Sequence, residues 1–388
     1  MIKIIYPIPE KVPSNYARFI QIFNTCNSLA NLNLEVMIYC SFKKGYKRED
    51  LENFYGINFS TNLNIKSCPI IQIENLFNFK LSSSLIYKFK FVFDFLKEYK
   101  NNPTRKLLIY LRYPKLGPLF VFLKKWINFF IFYEAHEIFF FKNKNFFEIE
   151  KKLFEISDLI ICITNELKNK IINIFEINSQ KIHVIPDAVK DEWLNIRPEK
   201  DEYILYVGSL KKWKGVHILI EAMKYLPEEK LLVVGDGEEL NKLEKIVKKE
   251  KLQNRVRFVG YVPHSEVIKF LTKAKVLVLP NIEDNLDSSS FFTSPLKLFE
   301  YMATGIPIVA SDIKSLKEIL KHEENAYLVK PGDPIALAQG IRKVLFDEKL
   351  RNKISLRAKE EVAEYTYSTR AQKIKQLIEV ILKNYEYY

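Results

Sequence analysis

Apolar positions along the chain follow two patterns that take turns. Continuous runs such as Ile2-Lys3-Ile4-Ile5-Tyr6 and Leu107-Leu108-Ile109-Tyr110-Leu111 read as strands. Between them, apolar residues recur at three- and four-residue spacing, as from Phe147 to Ile156, and read as helices. In the first half this predicts strands Ile2 to Tyr6, Leu34 to Tyr39, Lys106 to Leu111, Phe129 to Glu134, Leu159 to Thr164 and Ile182 to Ile185. Helices fall near 15–30, 85–99, 116–128, 147–156 and 165–175. The rhythm restarts with strands Tyr203 to Val207, Lys230 to Val234, Val256 to Val259, Val276 to Pro280, Ile308 to Ser311 and Ala326 to Val329, again separated by helices. Strand and helix in strict alternation imply a parallel sheet with crossover helices. A chain of 388 residues exceeds what one core usually organises. The expectation is an α/β protein with two Rossmann-like doubly wound domains, 1–190 and 198–365, linked through Pro186 to Pro198.

Composition alters that picture little, but charge does. The net charge of +13 is uneven: residues 1–190 carry 27 basic and 17 acidic side chains, residues 191–388 carry 33 and 30. A basic first half fits nucleic acid, an anionic membrane surface or an acidic acceptor, and equally an AT-biased genome. Phe139, Phe140, Phe141, Phe146 and Phe147 crowd one loop with Lys142 and Lys144, and the helix from Leu85 to Tyr99 carries Lys88, Lys90 and Lys97. Such a mix suits anionic lipid headgroups. Lys124 and Lys125 interrupt the longest apolar run, and Pro7 and Pro9 break the first one early. The expectation is therefore a cytoplasmic enzyme, at most peripheral on the inner face of a membrane. Cys26, Cys40, Cys68 and Cys162 stand singly, so reduced thiols and no metal site are expected.

The chemistry concentrates between Thr293 and Ser311. Ser294 reads as an N-cap, Pro295 as the first helical residue and Gly305 as the left-handed residue that ends the helix. Free N–H groups at Ser294, Pro295's neighbour Leu296 and Lys297 can then hold phosphate. Glu300 lies roughly two turns, about 9 Å, further along the axis. That spacing suits a ribose attached to the phosphate. A capped helix leading into a strand also occurs in any α/β protein.

The phrase Ser294-Pro295-Leu296-Lys297-Leu298-Phe299-Glu300-Tyr301-Met302-Ala303 with Gly305-Ile306-Pro307-Ile308-Val309-Ala310-Ser311 resembles the donor helix of glycosyltransferase family 4. The resemblance covers most of the chain and is strongest over 203–366. It implies the GT-B fold, two Rossmann-like domains facing a central cleft, with residues 366–388 packed on the first domain. It also implies a retaining glycosyltransferase that uses a nucleotide-diphospho-sugar and neither cofactor nor metal. The acceptor would be a hydroxyl of a glycan or lipid-linked glycan, as in surface polysaccharide or glycoconjugate synthesis, and no nucleic acid partner is expected.

Residue by residue, the segment Tyr206 to Val216 is similar to the family's donor loop, with Gly208, Ser209, Lys211 and Lys214 at the donor. Ser209 stands where the family has arginine, and Lys214 matches the lysine that stabilises the leaving diphosphate. Glu300 matches the second glutamate of the family's pair, whereas Phe292 occupies the place of the first. Gly235 in the Gly-Asp-Gly turn resembles the turn bordering the donor, and Tyr261 and Val262 the segment that contacts the base. Asp236 and Glu238 read as turn residues rather than metal ligands. In the first half, His136 after the strand ending Tyr133-Glu134 matches the family's active-site histidine, which hydrogen-bonds sugar or phosphate or moves a proton. Arg112, Asn15 and Tyr16 are expected on the acceptor side, with Ser14 capping the helix that follows. The first loop has three prolines and no glycine, a departure that bears on acceptor identity. The expected catalytic set is His136, Lys214 and Glu300. Rival readings are a GT-B epimerase or phosphorylase, and a decayed scaffold that binds glycan or nucleic acid.

Overall fold

The computed structural model describes residues 2–70, 84–199, 201–283 and 295–384. The chain divides into two units: Met1–Cys162 with Lys168–Ile185 and Arg370–Tyr388, and Ile163–Leu167 with Pro186–Thr369. The second unit therefore starts at Pro186 and runs to Thr369, where the sequence pattern had put 198 and 365.

Among the described residues unit 1 holds seven parallel strands: β1 (Ile2–Val12), β2 (Glu35–Phe42), β3 (Leu63–Ser67), β4 (Lys106–Leu111), β5 (Phe130–Ala135), β6 (Leu159–Cys162) and β7 (Ile182–Val184). Their order is β3-β2-β1-β4-β5-β6-β7, the doubly wound arrangement. The helices are α1 (Ala17–Asn31), α2 (Arg48–Tyr55), α3 (Ser84–Asn101), α4 (Gly117–Leu123), α5 (Phe147–Ile156) and α6 (Asn165–Phe175). Three local expectations change. β1 does not stop at Tyr6 but runs to Val12, and its pairing with β2 shifts register between Pro7 and Lys11. The prolines sit where the ladder is irregular, which is where a strand tolerates residues without an N–H. Ser14 does not cap α1: the cap position is Tyr16, without a side-chain bond, and the Ser14 N–H donates to the Tyr55 hydroxyl at 2.9 Å. α2 and the edge strand β3 lie in a polar stretch whose apolar pattern is too thin to announce them.

Among the described residues unit 2 holds six parallel strands in the order β10-β9-β8-β11-β12-β13. They are β8 (Tyr203–Val207), β9 (Leu231–Val234), β10 (Val256–Gly260), β11 (Ala274–Leu279), β12 (Ile308–Ser311) and β13 (Tyr327–Val329). The helices are α7 (Val216–Ala222), α8 (Leu240–Lys249), α9 (His264–Leu271), α10 (Leu296–Thr304), α11 (Lys314–Lys317), α12 (Pro334–Phe346), α13 (Glu348–Glu361) and α14 (Tyr367–Asn384), of which α14 is shared with unit 1 from Arg370 on. β11 begins at Ala274 rather than Val276, because Ala274 pairs with Tyr203 and is buried. The sheet is covered on both faces: Leu205 and Val207 of β8 join one apolar cluster, Ile204 and Tyr206 the other. Burial on both sides leaves the carboxyl edge of the strands as the place where loops are free to build a site.

Candidate functional site

At that edge of unit 2, glycines let three loops lie against one another. Gly208 follows β8 at φ +141° and Gly235 follows β9 at φ +136°. The Gly208 N–H donates to the Val234 carbonyl at 2.9 Å and the Gly235 N–H to the Gly260 carbonyl at 2.8 Å. A Cβ on Gly235 would come to 2.0 Å from the Gly208 carbonyl oxygen, so no side chain fits. Gly215 closes the loop that carries Lys211, Trp213 and Lys214, and its missing Cβ would stand 1.7 Å from the Pro280 carbonyl oxygen. The loop after β8 is thereby pressed onto the end of β11.

α10 is tied to the same place. The Tyr301 hydroxyl accepts a hydrogen bond from the Val207 N–H at 2.8 Å, and Gly305 ends the helix at φ +70°. The helix starts one residue later than expected. Pro295 is the cap and Leu296 the first helical residue, while Ser294 lies outside the described residues. The Leu298 N–H turns back to the Pro295 carbonyl at 2.8 Å, which leaves the Leu296 and Lys297 amides as the first-turn donors. Every residue from Lys297 to Thr304 is buried.

Two of those buried residues carry charge. Lys297 is 8% exposed, and its Nζ lies 3.9 Å over the Tyr206 ring and beside Gly208, with no hydrogen-bond partner among the described residues. Burial, together with the like charge of Lys214, pushes its pKa well below the ordinary lysine value, and Glu300 only partly opposes this. The Lys214 ammonium rests 3.7 Å over the Trp213 ring. Glu300 is 7% exposed and its Oε1 pairs with His264 Nε2 at 2.6 Å. The His264 ring stacks on Trp193, centroids 5.6 Å apart and planes within 10°. Burial draws the Lys190 pKa down, with Glu192 and Glu300 pulling the other way.

The structure thus gathers Gly208, Gly235, Lys214, Pro295, Leu296, Lys297 and Glu300 at one sheet edge. Ser209 and Lys211 are exposed, and Ser209 engages through its carbonyl, which accepts from the Tyr206 hydroxyl at 2.9 Å. Tyr261 is half exposed and Val262 packs partly on the core beneath. His264 and Trp193 escaped the sequence reading. Val262-Pro263-His264 opens a helix next to the base-contact phrase, but the glutamate it meets is 36 residues away.

In unit 1, His136 and Arg112 enter one buried network. Glu134 is 1% exposed. Its Oε1 accepts from Gln21 Nε2 at 2.6 Å and pairs with His136 Nε2 at 2.5 Å, and its Oε2 accepts from the Tyr110 hydroxyl and forms an ion pair with the Arg370 guanidinium at 2.8 Å. Burial alone would raise this carboxyl, yet Arg370, then His136 and Arg112, hold it well below the usual range. Arg112 reaches it through the Gln21 side chain, donating to Oε1 at 2.5 Å. Asn15 and Tyr16 stay outside this network: both are exposed, and the Arg18 guanidinium lies 4.3 Å over the Tyr16 ring.

Residues 190–361 match the family model described as glycosyl transferases group 1. Over that stretch, a little under half of the chain, the sequence is similar to group 1 glycosyltransferases. Among curated relatives, an uncharacterised glycosyltransferase of Methanocaldococcus jannaschii is 30% identical over 223 residues, 53% of this chain and 55% of the relative. The N-acetyl-alpha-D-glucosaminyl L-malate synthase of Bacillus anthracis is 27% identical over 186 residues, 47% of this chain and 45% of the relative. The chain spans about half the length of these curated relatives. Among solved structures, sucrose-phosphate synthase from Thermosynechococcus elongatus superposes with TM-score 0.78 at 21% identity, over 99% of this chain and 100% of that one. Anabaena HepE in complex with UDP and glucose gives TM-score 0.73 at 16% identity, over 97% and 99%. The chain has the GT-B fold, each unit built on one of the two parallel sheets.

Proposed function

We propose that the protein is a retaining glycosyltransferase that binds a nucleotide-diphospho-sugar at the carboxyl edge of the unit 2 sheet. The observation that carries this reading is the pair of buried charges on α10, one turn apart. A buried ammonium without a partner is costly unless an anion completes it. Lys297 beside Gly208 supplies the cation that Ser209 does not, and the Leu296 and Lys297 amides add donors for the same diphosphate. Glu300, steadied by His264, keeps Oε2 for the ribose hydroxyls. Lys214 adds charge where the diphosphate leaves. With this much positive charge from lysine and amides, the reading needs neither metal nor cofactor.

In the reaction the bond from the sugar's anomeric carbon to the diphosphate oxygen breaks. An acceptor hydroxyl oxygen bonds to that carbon from the same face, and its proton passes to the departing diphosphate. His136, oriented by Glu134, is assigned to a hydroxyl or its proton. Asn15, Tyr16 and Arg112 are assigned to the acceptor, a glycan or lipid-linked glycan made in the cytoplasm. The HepE complex makes UDP the first nucleotide to test.

Calorimetry with UDP and GDP, followed by turnover with a panel of nucleotide-sugars, tests the reading. Lys214→Ala and Glu300→Ala should each lower turnover at least tenfold with every donor. Near wild-type rates in both variants, or no binding of either nucleotide, sink it; the second result favours a decayed scaffold.

A further inference from the structure

The outer face of unit 1 carries aromatic side chains that the core does not use. α3 faces the sheet with Tyr87, Phe91 and Phe95, all fully buried, and turns Phe89 and Phe93 outward at 68% and 65% exposure. α4 does the same: Phe120 is buried against Phe91, ring centroids 5.8 Å apart, while Phe122 and the following Trp126 stand 60% and 78% exposed. β3 to β4 and β4 to β5 step in the same direction across the sheet, so right-handed crossovers put both helices on one side of it. Phe95 and Phe120 both meet Phe129, at 5.3 Å and 6.2 Å, which closes the seam between them. Four large rings at these exposures leave on the order of 500 Å² of aromatic surface open, at the upper end for a soluble monomer.

The charges around these rings are mostly of one sign, with Glu148 beside Phe122 and Lys125 the exception. Phe89, Phe93, Lys97 and Lys100 form a stripe along α3, and Lys88, Lys115 and Lys125 flank it. None of these five lysines forms an ion pair with a described residue. The only acids on α3 point inward, Asp94 to Lys66 and Lys90, and Glu98 to Lys3. No acid occurs between Pro114 and Asn128.

We infer that this face docks on an anionic lipid bilayer, with Phe89, Phe93, Phe122 and Trp126 entering the interface and the lysines lying among the headgroups. A second copy of the chain fits poorly, because it would set lysines against lysines over less area than a stable interface buries. A lipid surface takes both the rings and the charge. Of the two places that the sequence suggested, the helix from Leu85 to Tyr99 belongs to this face and the loop does not: there Phe139, Phe140, Phe146 and Phe147 are half-buried against one another and Phe175, and of these five rings Phe141 alone is exposed. No helix among the described residues is long and apolar enough to cross a membrane, so contact would be from one side. The inference stands apart from the donor-site reading, since no donor residue takes part.

Co-sedimentation of the full chain with phosphatidylcholine vesicles, with and without one third phosphatidylglycerol, is the test. Binding should require phosphatidylglycerol and fade with salt. It should fall on the order of 100-fold in Lys97→Glu/Lys100→Glu/Lys125→Glu, and similarly in Phe93→Ser/Trp126→Ser, with melting temperature and UDP binding kept in both. Absence of binding at low salt, equal binding to neutral vesicles, or unchanged binding by both variants overturns the inference. So does a lipid-free dimer that Trp126→Ser dissolves.

Discussion

Lys297 combines a cost with a use. An ammonium buried beside Tyr206 and Gly208 is unfavourable while nothing anionic is bound, and a methionine of similar length would not carry that penalty. Lys297→Met should therefore raise the melting temperature of the nucleotide-free protein by about 2–4 °C, for roughly 1 kcal/mol in a unit of this size, while abolishing UDP binding in calorimetry. A lysine doing only structural work would lose stability instead. The sign of the pH dependence follows. Folding holds the pKa well below 10.5, whereas the unfolded chain keeps its proton up to that value. Between the two, the unfolded state binds more protons, so the wild type gains stability as pH rises. The lead of the methionine variant should be widest near neutral pH and narrow as pH approaches 10.5; a gap that does not change with pH contradicts the assignment.

His264 makes a narrower case. It does not reach the reacting atoms but holds Glu300 at 2.6 Å, which makes it a positioning residue. His264→Ala should raise KM for the nucleotide-sugar about tenfold with kcat within about threefold, and His264→Gln should restore part of the difference. A loss confined to kcat would assign it another role. Lys214, Glu300 and Lys297 were legible because they sit in phrases with a local meaning, a loop before a helix and the first turns of another. His264, Trp193, Gln21 and Arg370 were not. Each acts on a partner far away in sequence, and nothing beside it announces the contact.

At the scale of elements, strong apolar periodicity was readable and weak periodicity was not. α5, α6 and β8 fall where the pattern put them, because long apolar faces leave one solution. α2 and β3 are short, polar and at the sheet edge, and β1 outran its prolines because pairing with β2 overrode local preference. The donor loops depend on glycine in a way that substitution can measure. Gly215→Ala would put a Cβ into the Pro280 carbonyl at φ +71°, so urea unfolding of unit 2 should show a loss of about 3 kcal/mol or more. Gly260→Ala meets nothing within 4 Å and should cost about 1 kcal/mol, the backbone penalty alone. Similar losses at the two positions would mean that the close approach of the loop after β8 to β11 is not what sets the site.

For the whole molecule, the path of the chain matters as much as the two sheets. The Val189 N–H donates to the Tyr365 carbonyl at 2.9 Å, and the Tyr367 N–H to the Val189 carbonyl at 3.0 Å. Unit 2 therefore begins and ends side by side, as an inserted domain does. Unit 1 is assembled from both ends of the sequence, and its buried Glu134 takes its strongest cation from Arg370. Arg370→Met leaves that carboxylate buried beside an apolar side chain, and calorimetry should show unit 1 losing about 3–5 kcal/mol while unit 2 melts as before. The consequence reaches back to synthesis. The strands of unit 1 leave the ribosome before unit 2, yet the charge that completes their core arrives only at Arg370, after all of unit 2 has been made. Unit 1 is begun before unit 2 and finished after it, and a stop placed between Thr369 and Arg370 releases a chain whose unit 2 is whole and whose unit 1 is not.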